Sequence, residues 1–90
     1  METMTSGKNQ SKLPKWFKGE VYPKGDTVKN PFSGEICKLN AEELSMYDFI
    51  KGAEVMFSMG NKSKKLLDDF DKALRWFSKN NIEAYMTLLD

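Results

Sequence analysis

The sequence predicts a small α+β fold in which an antiparallel β-hairpin or sheet of two or three strands is followed by three helices. Three observations predict this fold. Residues 27–39 hold two short strand-like runs on either side of a turn. Residues 40–60 and 63–80 repeat apolar side chains at the 3.6-residue period of an amphipathic helix. Residues 82–89 do so over a shorter span.

The chain is long enough for one small domain. Its 90 residues include two Trp, three Tyr and six Phe, which suffice for a single modest core. Residues 1–12 are polar and show no periodicity. We therefore expect a disordered tail there and one α+β domain over residues 13–90.

The composition indicates a cytoplasmic protein. No apolar run approaches the roughly 20 residues that span a bilayer, and the polar N-terminus lacks the apolar stretch of a secretory signal. Cys37 is the single cysteine, so no intramolecular disulfide can form, which agrees with a reducing compartment. The net charge of +1 shows no strong basic excess, and charge alone therefore argues weakly against nucleic-acid binding.

The segment before the hairpin is punctuated by turn residues. Pro14 favours an extended chain, in which Trp16 and Phe17 would point to opposite faces. A 3₁₀ turn after Pro14 is the alternative. Residues 20–22 read as a short β segment, and residues 23–26 as a turn whose glycine is free to take a positive φ.

The hairpin is predicted from strands at residues 27–29 and 35–39, joined by a turn at residues 30–34. Val28 and Ile36 are β-branched, so we expect them to pack across the two strands. Because two strands alone are marginally stable in water, the hairpin must pack against the helices.

The first helix, residues 40–60, is the element around which we expect the rest of the chain to pack. Asn40 is a favourable N-cap with Glu43 three residues later, and Gly60 suits the C-terminal end. Two apolar stripes run along this helix, a broad one of Met46, Phe49, Ile50, Ala53, Met56 and Phe57 and a narrow one of Leu44, Val55 and Met59. We expect the later helices to cover one stripe and the β-hairpin to cover the other.

The second helix has one apolar stripe and an opposite, charged face. Its apolar residues are Leu66, Leu67, Phe70, Ala73, Leu74 and Phe77. On the charged side, Asp71 and Arg75 are spaced for an ion pair, as are Asp68 and Lys72. Asn81 then caps a third helix, and the short connection between the first two helices predicts an antiparallel pair.

The run WFKGEVYPKGDTVKNPFSGE, followed by LNAEELSMYD, resembles small proteins that are encoded by tailed phages of aquatic bacteria. The resemblance covers residues 13–90. It implies a phage-encoded or bacterial protein of the cytoplasm. It implies no activity and no functional residues.

The residue types argue against an enzyme. The chain has no histidine, which removes the commonest general base and the commonest metal ligand. Cys37 therefore has no histidine to activate it as a nucleophile, and glycine-rich phosphate loops are absent. We interpret Asp68, Asp69 and Asp71 as an ordinary charged helix surface. We therefore expect no catalytic residue, no metal site and no cofactor.

Two surfaces are candidates for binding. The first consists of Trp76, at the edge of the second helix, with Lys72 and Asp69, and we predict that it binds a protein partner. The alternative is that the Trp76 indole lies over the aliphatic part of the Lys72 side chain. The second surface interleaves basic and aromatic side chains, which suits nucleic acid, and consists of Lys15, Trp16, Lys18, Lys24, Lys29 and Phe32. The other interpretation of this segment is that Trp16 and Phe17 hold the N-terminal arm on the core.

The leading functional hypothesis is a small protein-interaction or accessory module that acts through a surface on its helices. Its partner would be another protein or a second copy of the chain. Six methionines favour it slightly, because flexible methionine side chains adapt to different partners. The alternative is a nucleic-acid-binding accessory protein that uses the lysine and aromatic residues of the N-terminal segment. No membrane partner is expected.

Overall fold

A two-stranded antiparallel hairpin followed by three helices confirms the predicted α+β fold class. The computed structural model describes residues 13–89, so the tail predicted over residues 1–12 lies outside the described residues, as does Asp90. The elements in chain order are β1 (Asp26–Lys29), β2 (Ile36–Leu39), α1 (Ala41–Ser58), α2 (Lys64–Asn80) and α3 (Ile82–Leu88).

The ends of α1 are set by the local sequence. The Asn40 side chain accepts a hydrogen bond from the Glu43 backbone N–H at 2.8 Å, and the Glu43 carboxylate accepts one from the Asn40 N–H at 3.0 Å. This is the predicted capping box. At the other end Gly60 has a φ of 96°, which ends the helix in the left-handed conformation that glycine adopts without strain.

The strand register differs from the expected cross-strand pairing. Val28 lies opposite Cys37, and Lys29 lies opposite Ile36. Val28 and Cys37 are half-buried against the core, whereas Ile36 is exposed on the outer face. The expected packing of Val28 against Ile36 is therefore wrong, because a shift of one residue moves a side chain to the opposite face of the sheet.

The segment before the hairpin contains turns, and residues 20–22 form no strand. The Phe17 N–H donates to the Pro14 carbonyl at 3.1 Å, so the chain adopts the turn after Pro14 and not the extended alternative. Gly25 does not have the positive φ that the turn prediction allowed for. A Cβ atom there would lie 1.9 Å from the Leu39 carbonyl oxygen, so glycine is needed for close backbone approach.

The core lies at one end of the α1–α2 pair, where the hairpin and α3 close it. Its buried apolar side chains are Leu39, Met46, Ile50, Ala53, Ala73, Phe77, Ala84 and Leu88. The helices α1 and α2 pack against each other, and β2 packs more closely against α3 than against α1. The hairpin is therefore held mainly by the shortest helix.

This arrangement leaves the narrow apolar stripe of α1 partly bare. In the broad stripe, Met46, Ile50 and Ala53 are buried, as predicted, whereas Met56 is 44% exposed. In the narrow stripe, Val55 and Met59 are exposed. The prediction that the hairpin covers this second stripe is therefore wrong, since β2 meets α1 only lightly and α3 takes most of its contact.

Candidate functional site

The aromatic residues of the N-terminal segment pack onto α1. The Trp16 ring lies edge-on to Phe17 and to Phe49, with centroid distances of 6.5 and 6.4 Å, and Phe17 is 5.7 Å from Phe49. All three side chains are half-buried against the core. Trp16 and Phe17 thus hold the N-terminal segment on the helix, which agrees with the second of the two interpretations of this segment.

Ser45 fixes the same segment farther along the chain. Its side chain is fully enclosed, donates to the Ala41 carbonyl at 2.8 Å and accepts the Tyr22 N–H at 2.9 Å. Ser45 belongs to neither apolar stripe of the first helix, so the helical period does not predict its burial. A helical serine that bonds the carbonyl four residues back is a recognised local pattern, but nothing in the sequence indicates the bond to Tyr22.

Lys72 joins the two surfaces that the sequence proposed as alternatives. Its ammonium nitrogen lies 5.9 Å from the centroid of the Trp16 ring, a cation–π distance. The sequence had paired Lys72 with Trp76, but the structure gives Lys72 the indole of Trp16. The predicted protein-binding site therefore contributes the cation, Lys72, and the predicted nucleic-acid site contributes the aromatic ring, Trp16.

Asp69 is buried, with 5% of its surface exposed, and does not lie on an ordinary charged face as expected. It sits one and two helical turns before Ala73 and Phe77, both fully buried on the inner side of α2. The Lys65 ammonium donates to its two oxygens at 3.1 and 3.0 Å, which compensates the buried charge. Trp76 is half-buried against the core. Of the three predicted partner-binding residues, Trp76, Lys72 and Asp69, Lys72 is therefore the most exposed.

The residues of the basic and aromatic surface have different surroundings. Lys15, Lys18, Lys24 and Lys29 are exposed. Phe32 is 96% exposed at the hairpin turn, whereas Trp16 is packed between Phe49 and Lys72. The exposed ring of Phe32 therefore lies at the hairpin turn, whereas the packed ring of Trp16 lies against α1.

The α1–α2 pair extends beyond the core at the end where the two helices are joined. No residue from 54 to 68 is buried, whereas both helices contribute buried residues outside this range. We call residues 54–68 the projecting end. At this end the rings of Phe57 and Phe70 meet edge-to-face at 5.2 Å and hold the two helices together.

The projecting end exposes large apolar side chains. Val55, Met56, Met59 and Leu67 are 56%, 44%, 79% and 48% exposed. Val55 and Met59 belong to the narrow stripe that the sequence analysis identified on α1, and Leu67 lies one turn into α2. Periodicity detected the stripe, but it could not show that the rest of the chain leaves the stripe open.

Charged residues flank these apolar side chains in the sequence. From Val55 to Leu67 the chain has three lysines and no acidic residue. Lys62 and Lys64 are exposed, and Lys65 is engaged by Asp69. Glu54, just before this stretch, is paired with Lys51 at 2.9 Å. Asp68, directly after Leu67, is exposed as well, so the charges around the apolar side chains are of both signs.

The groups that carry catalytic chemistry elsewhere are engaged in the fold. Burial raises the pKa of the Cys37 thiol above its ordinary value, and the carboxylates of Glu43 and Glu83 add to this effect. Glu43 lines an open depression near Gly25, but its carboxylate belongs to the α1 cap. Within residues 13–89, no three residues of the types His, Cys, Asp and Glu lie together as metal ligands.

Comparison of the chain with protein-family models, with curated proteins and with solved structures finds no match. In the part of the chain that the structure describes, no helix has the length and apolar character needed to cross a membrane. The evidence for a function therefore comes from the surface of the molecule itself.

Proposed function

We propose that this protein is a small interaction module that binds another protein through the projecting end of its α1–α2 pair. The observation that carries the proposal is the exposure of Val55, Met56, Met59 and Leu67 within one short stretch. Exposed apolar groups forgo roughly 25 cal/mol for each Å² that burial would remove from water. Apolar side chains grouped in this way are typical of contact surfaces, whereas scattered ones are not.

The surroundings of these side chains favour binding over a role in folding. The Phe57–Phe70 contact and the capped end of α1 at Gly60 order this end of the helix pair without using the exposed residues. A partner then meets a surface that is already formed, which lowers the entropy cost of association. Met56 and Met59 add flexible side chains that adjust to the shape of a partner.

A selection experiment tests this function. Peptides are selected from a random library against the full chain, and their affinities are then measured for a Met59→Asp/Leu67→Asp variant. We expect the affinities to fall at least about tenfold, which corresponds to about 1.4 kcal/mol. Equal affinity for the variant and the unaltered chain would overturn the proposal.

The matched control carries the same two charges on α3. Ile82 and Met86 are also large, exposed apolar residues on a helix, so Ile82→Asp/Met86→Asp introduces equal charge away from the projecting end. Val21→Asp is a second control outside the helices, because Val21 is exposed as well. The selected peptides should bind both controls as they bind the unaltered chain, and circular dichroism should show all variants folded.

Nucleic-acid binding through the hairpin is the second candidate function, and the exposed ring of Phe32 is the observation that favours it. An exposed aromatic ring next to lysines such as Lys29 offers a stacking site for a base. The packing of Trp16 against Phe49 and Lys72 weakens this candidate, because it removes the second expected platform. A titration with single-stranded DNA at low salt tests it, and absence of binding would remove it.

A further inference from the structure

The segment before the hairpin, residues 13–22, runs along the beginning of α1, and we call it the strap. Its aromatic rings pack on Phe49, and farther along the Tyr22 N–H donates to Ser45, about one helical turn nearer the start of α1. We infer that the strap opens as a unit while the hairpin and the three helices stay folded, and that opening uncovers Phe49. This inference is independent of the proposed function, because these contacts lie outside the projecting end.

The strap supplies no buried residue to the core. Every buried residue that the structure describes lies between Leu39 and Leu88. In the strap, Leu13, Trp16 and Phe17 are half-buried against this core, and Val21 is exposed. Segments with few buried contacts open at a lower free energy than the core does. Opening of the strap therefore leaves the packing among the buried residues intact.

The backbone of the strap is joined to the rest of the described chain by one hydrogen bond, the 2.9 Å bond from the Tyr22 N–H to Ser45. On the other side, the Lys72 ammonium reaches the Trp16 ring from α2. Lys72 is exposed, and a cation–π contact at an exposed site is weak. Few directional contacts therefore have to break when the strap opens.

The chain after the strap is fixed at Gly25. Its backbone lies so close to Leu39 and Asn40 that a Cβ atom on Gly25 would clash with both. Residues 23–24, between the strap and Gly25, are exposed. A hinge needs only a few such loop residues to absorb the change in backbone angles. The strap can therefore swing about residues 23–24 while Gly25 keeps the first strand in place.

Phe49 is the side chain that the closed strap conceals. The rings of Trp16 and Phe17 lie edge-on to it, and the strap backbone approaches it at Gly19, where a Cβ atom would lie 3.2 Å from the Phe49 Cβ. Phe49 is half-buried while these contacts hold. Opening converts it into an exposed aromatic side chain on α1.

Native-state hydrogen exchange of the full chain at low urea concentrations tests the inference. We expect the Tyr22 amide, corrected for its intrinsic rate, to exchange at least about a hundredfold faster than the amide of the buried Phe77. Its exchange should depend little on urea, because opening the strap exposes less surface than global unfolding does. Equal protection and equal urea dependence of the two amides would overturn the inference.

Two variants show whether the strap opens as one unit and apart from the core. Trp16→Ala weakens the strap six residues before Tyr22, so it should speed exchange of the Tyr22 amide at least about tenfold. Leu88→Ala weakens the core at α3, so it should speed exchange at Phe77 and leave Tyr22 unchanged. Equal acceleration of both amides by Leu88→Ala would overturn the inference.

A matched pair of lysine variants examines the contact with α2. Lys72→Ala should speed exchange of the Tyr22 amide at least about twofold, because it removes the cation above the Trp16 ring. Lys79→Ala removes another exposed lysine of the same helix and should leave that amide unchanged. Unchanged exchange at Tyr22 in Trp16→Ala, or loss of the fold of that variant by circular dichroism, would overturn the inference.

Discussion

The side-chain amide of Asn30 donates a hydrogen bond to the backbone carbonyl of Thr87 at 2.8 Å and joins the hairpin turn to α3. The Oδ1 atom of Asn30 also accepts the N–H groups of Phe32 and Ser33 at 2.8 and 3.2 Å. One side chain therefore shapes the turn and fixes it on the helix. Because the two partners are 57 positions apart in the chain, this contact closes the fold from its first strands to its last helix.

Asn30→Ala should lower the free energy of unfolding by about 1–3 kcal/mol, because it leaves backbone groups of the turn and of Thr87 without their partner. Urea denaturation measures this loss. Asn61→Ala is the matched control, since the Asn61 side chain accepts one exposed, local hydrogen bond, from the Ser63 N–H. An equal effect of the two substitutions would contradict the role assigned to Asn30.

Ile50→Asp should abolish cooperative unfolding. Ile50 is fully enclosed in the core, and an unpaired buried charge costs several kcal/mol out of a total stability of roughly 5–15 kcal/mol. Val55→Asp, on the same helix, should change stability by less than about 1 kcal/mol because Val55 is exposed. Thermal melts followed by circular dichroism compare the two variants, and similar melting temperatures would show that the helix phase is wrong.

Ser45→Ala should loosen the segment that precedes the hairpin, because the Tyr22 N–H loses its acceptor in a partly buried place. We expect a loss of about 1–2 kcal/mol in unfolding free energy and faster hydrogen exchange at the Tyr22 amide. Ser58→Ala is the control, since that hydroxyl is exposed and donates only to the Val55 carbonyl of its own helix. Unchanged exchange at Tyr22 would contradict the role of Ser45.

Cys37 should react slowly with iodoacetamide in the folded protein. Burial and the nearby Glu43 and Glu83 carboxylates raise the pKa of its thiol, so less of the reactive thiolate is present near neutral pH than for a free cysteine. The folded state favours the protonated thiol, so this contribution to stability is complete below the ordinary cysteine pKa and is lost as the pH rises through the raised one. Alkylation rates with and without urea test the prediction, and equal rates at one pH would contradict it.

Features that depend on neighbouring residues in the chain were predictable from the sequence. The Asn40–Glu43 capping box and the helix end at Gly60 are local, because each needs only a few consecutive residues to form its hydrogen bonds. The burial of Ile50 followed from the helical period. Local patterns of this kind predicted the hairpin and the three helices in the right order, but the predicted β segment at residues 20–22 is absent.

Features that depend on packing between distant segments were not predictable. Ser45 lies outside the two apolar stripes, and Asp69 was interpreted as a charged surface residue, yet both are buried. Ser45 accepts a hydrogen bond from the N–H of the distant Tyr22, and Asp69 lies on the inner side of α2. Ile36 faces outward because the register set by the turn pairs it with Lys29. Met59 belongs to a stripe that periodicity revealed, but its exposure depends on where β2 and α3 come to rest.

Binding at the projecting end is tested most directly by a ¹⁵N-labelled NMR titration of the full chain with the tightest peptide from the selection. We expect chemical-shift changes to concentrate at residues 54–68, with little change at Trp76 on the core side of α2 or at Phe32 in the hairpin turn. Changes centred on Trp76 and Lys72, or on Phe32 and its neighbouring lysines, would contradict the assignment of the projecting end as the contact surface.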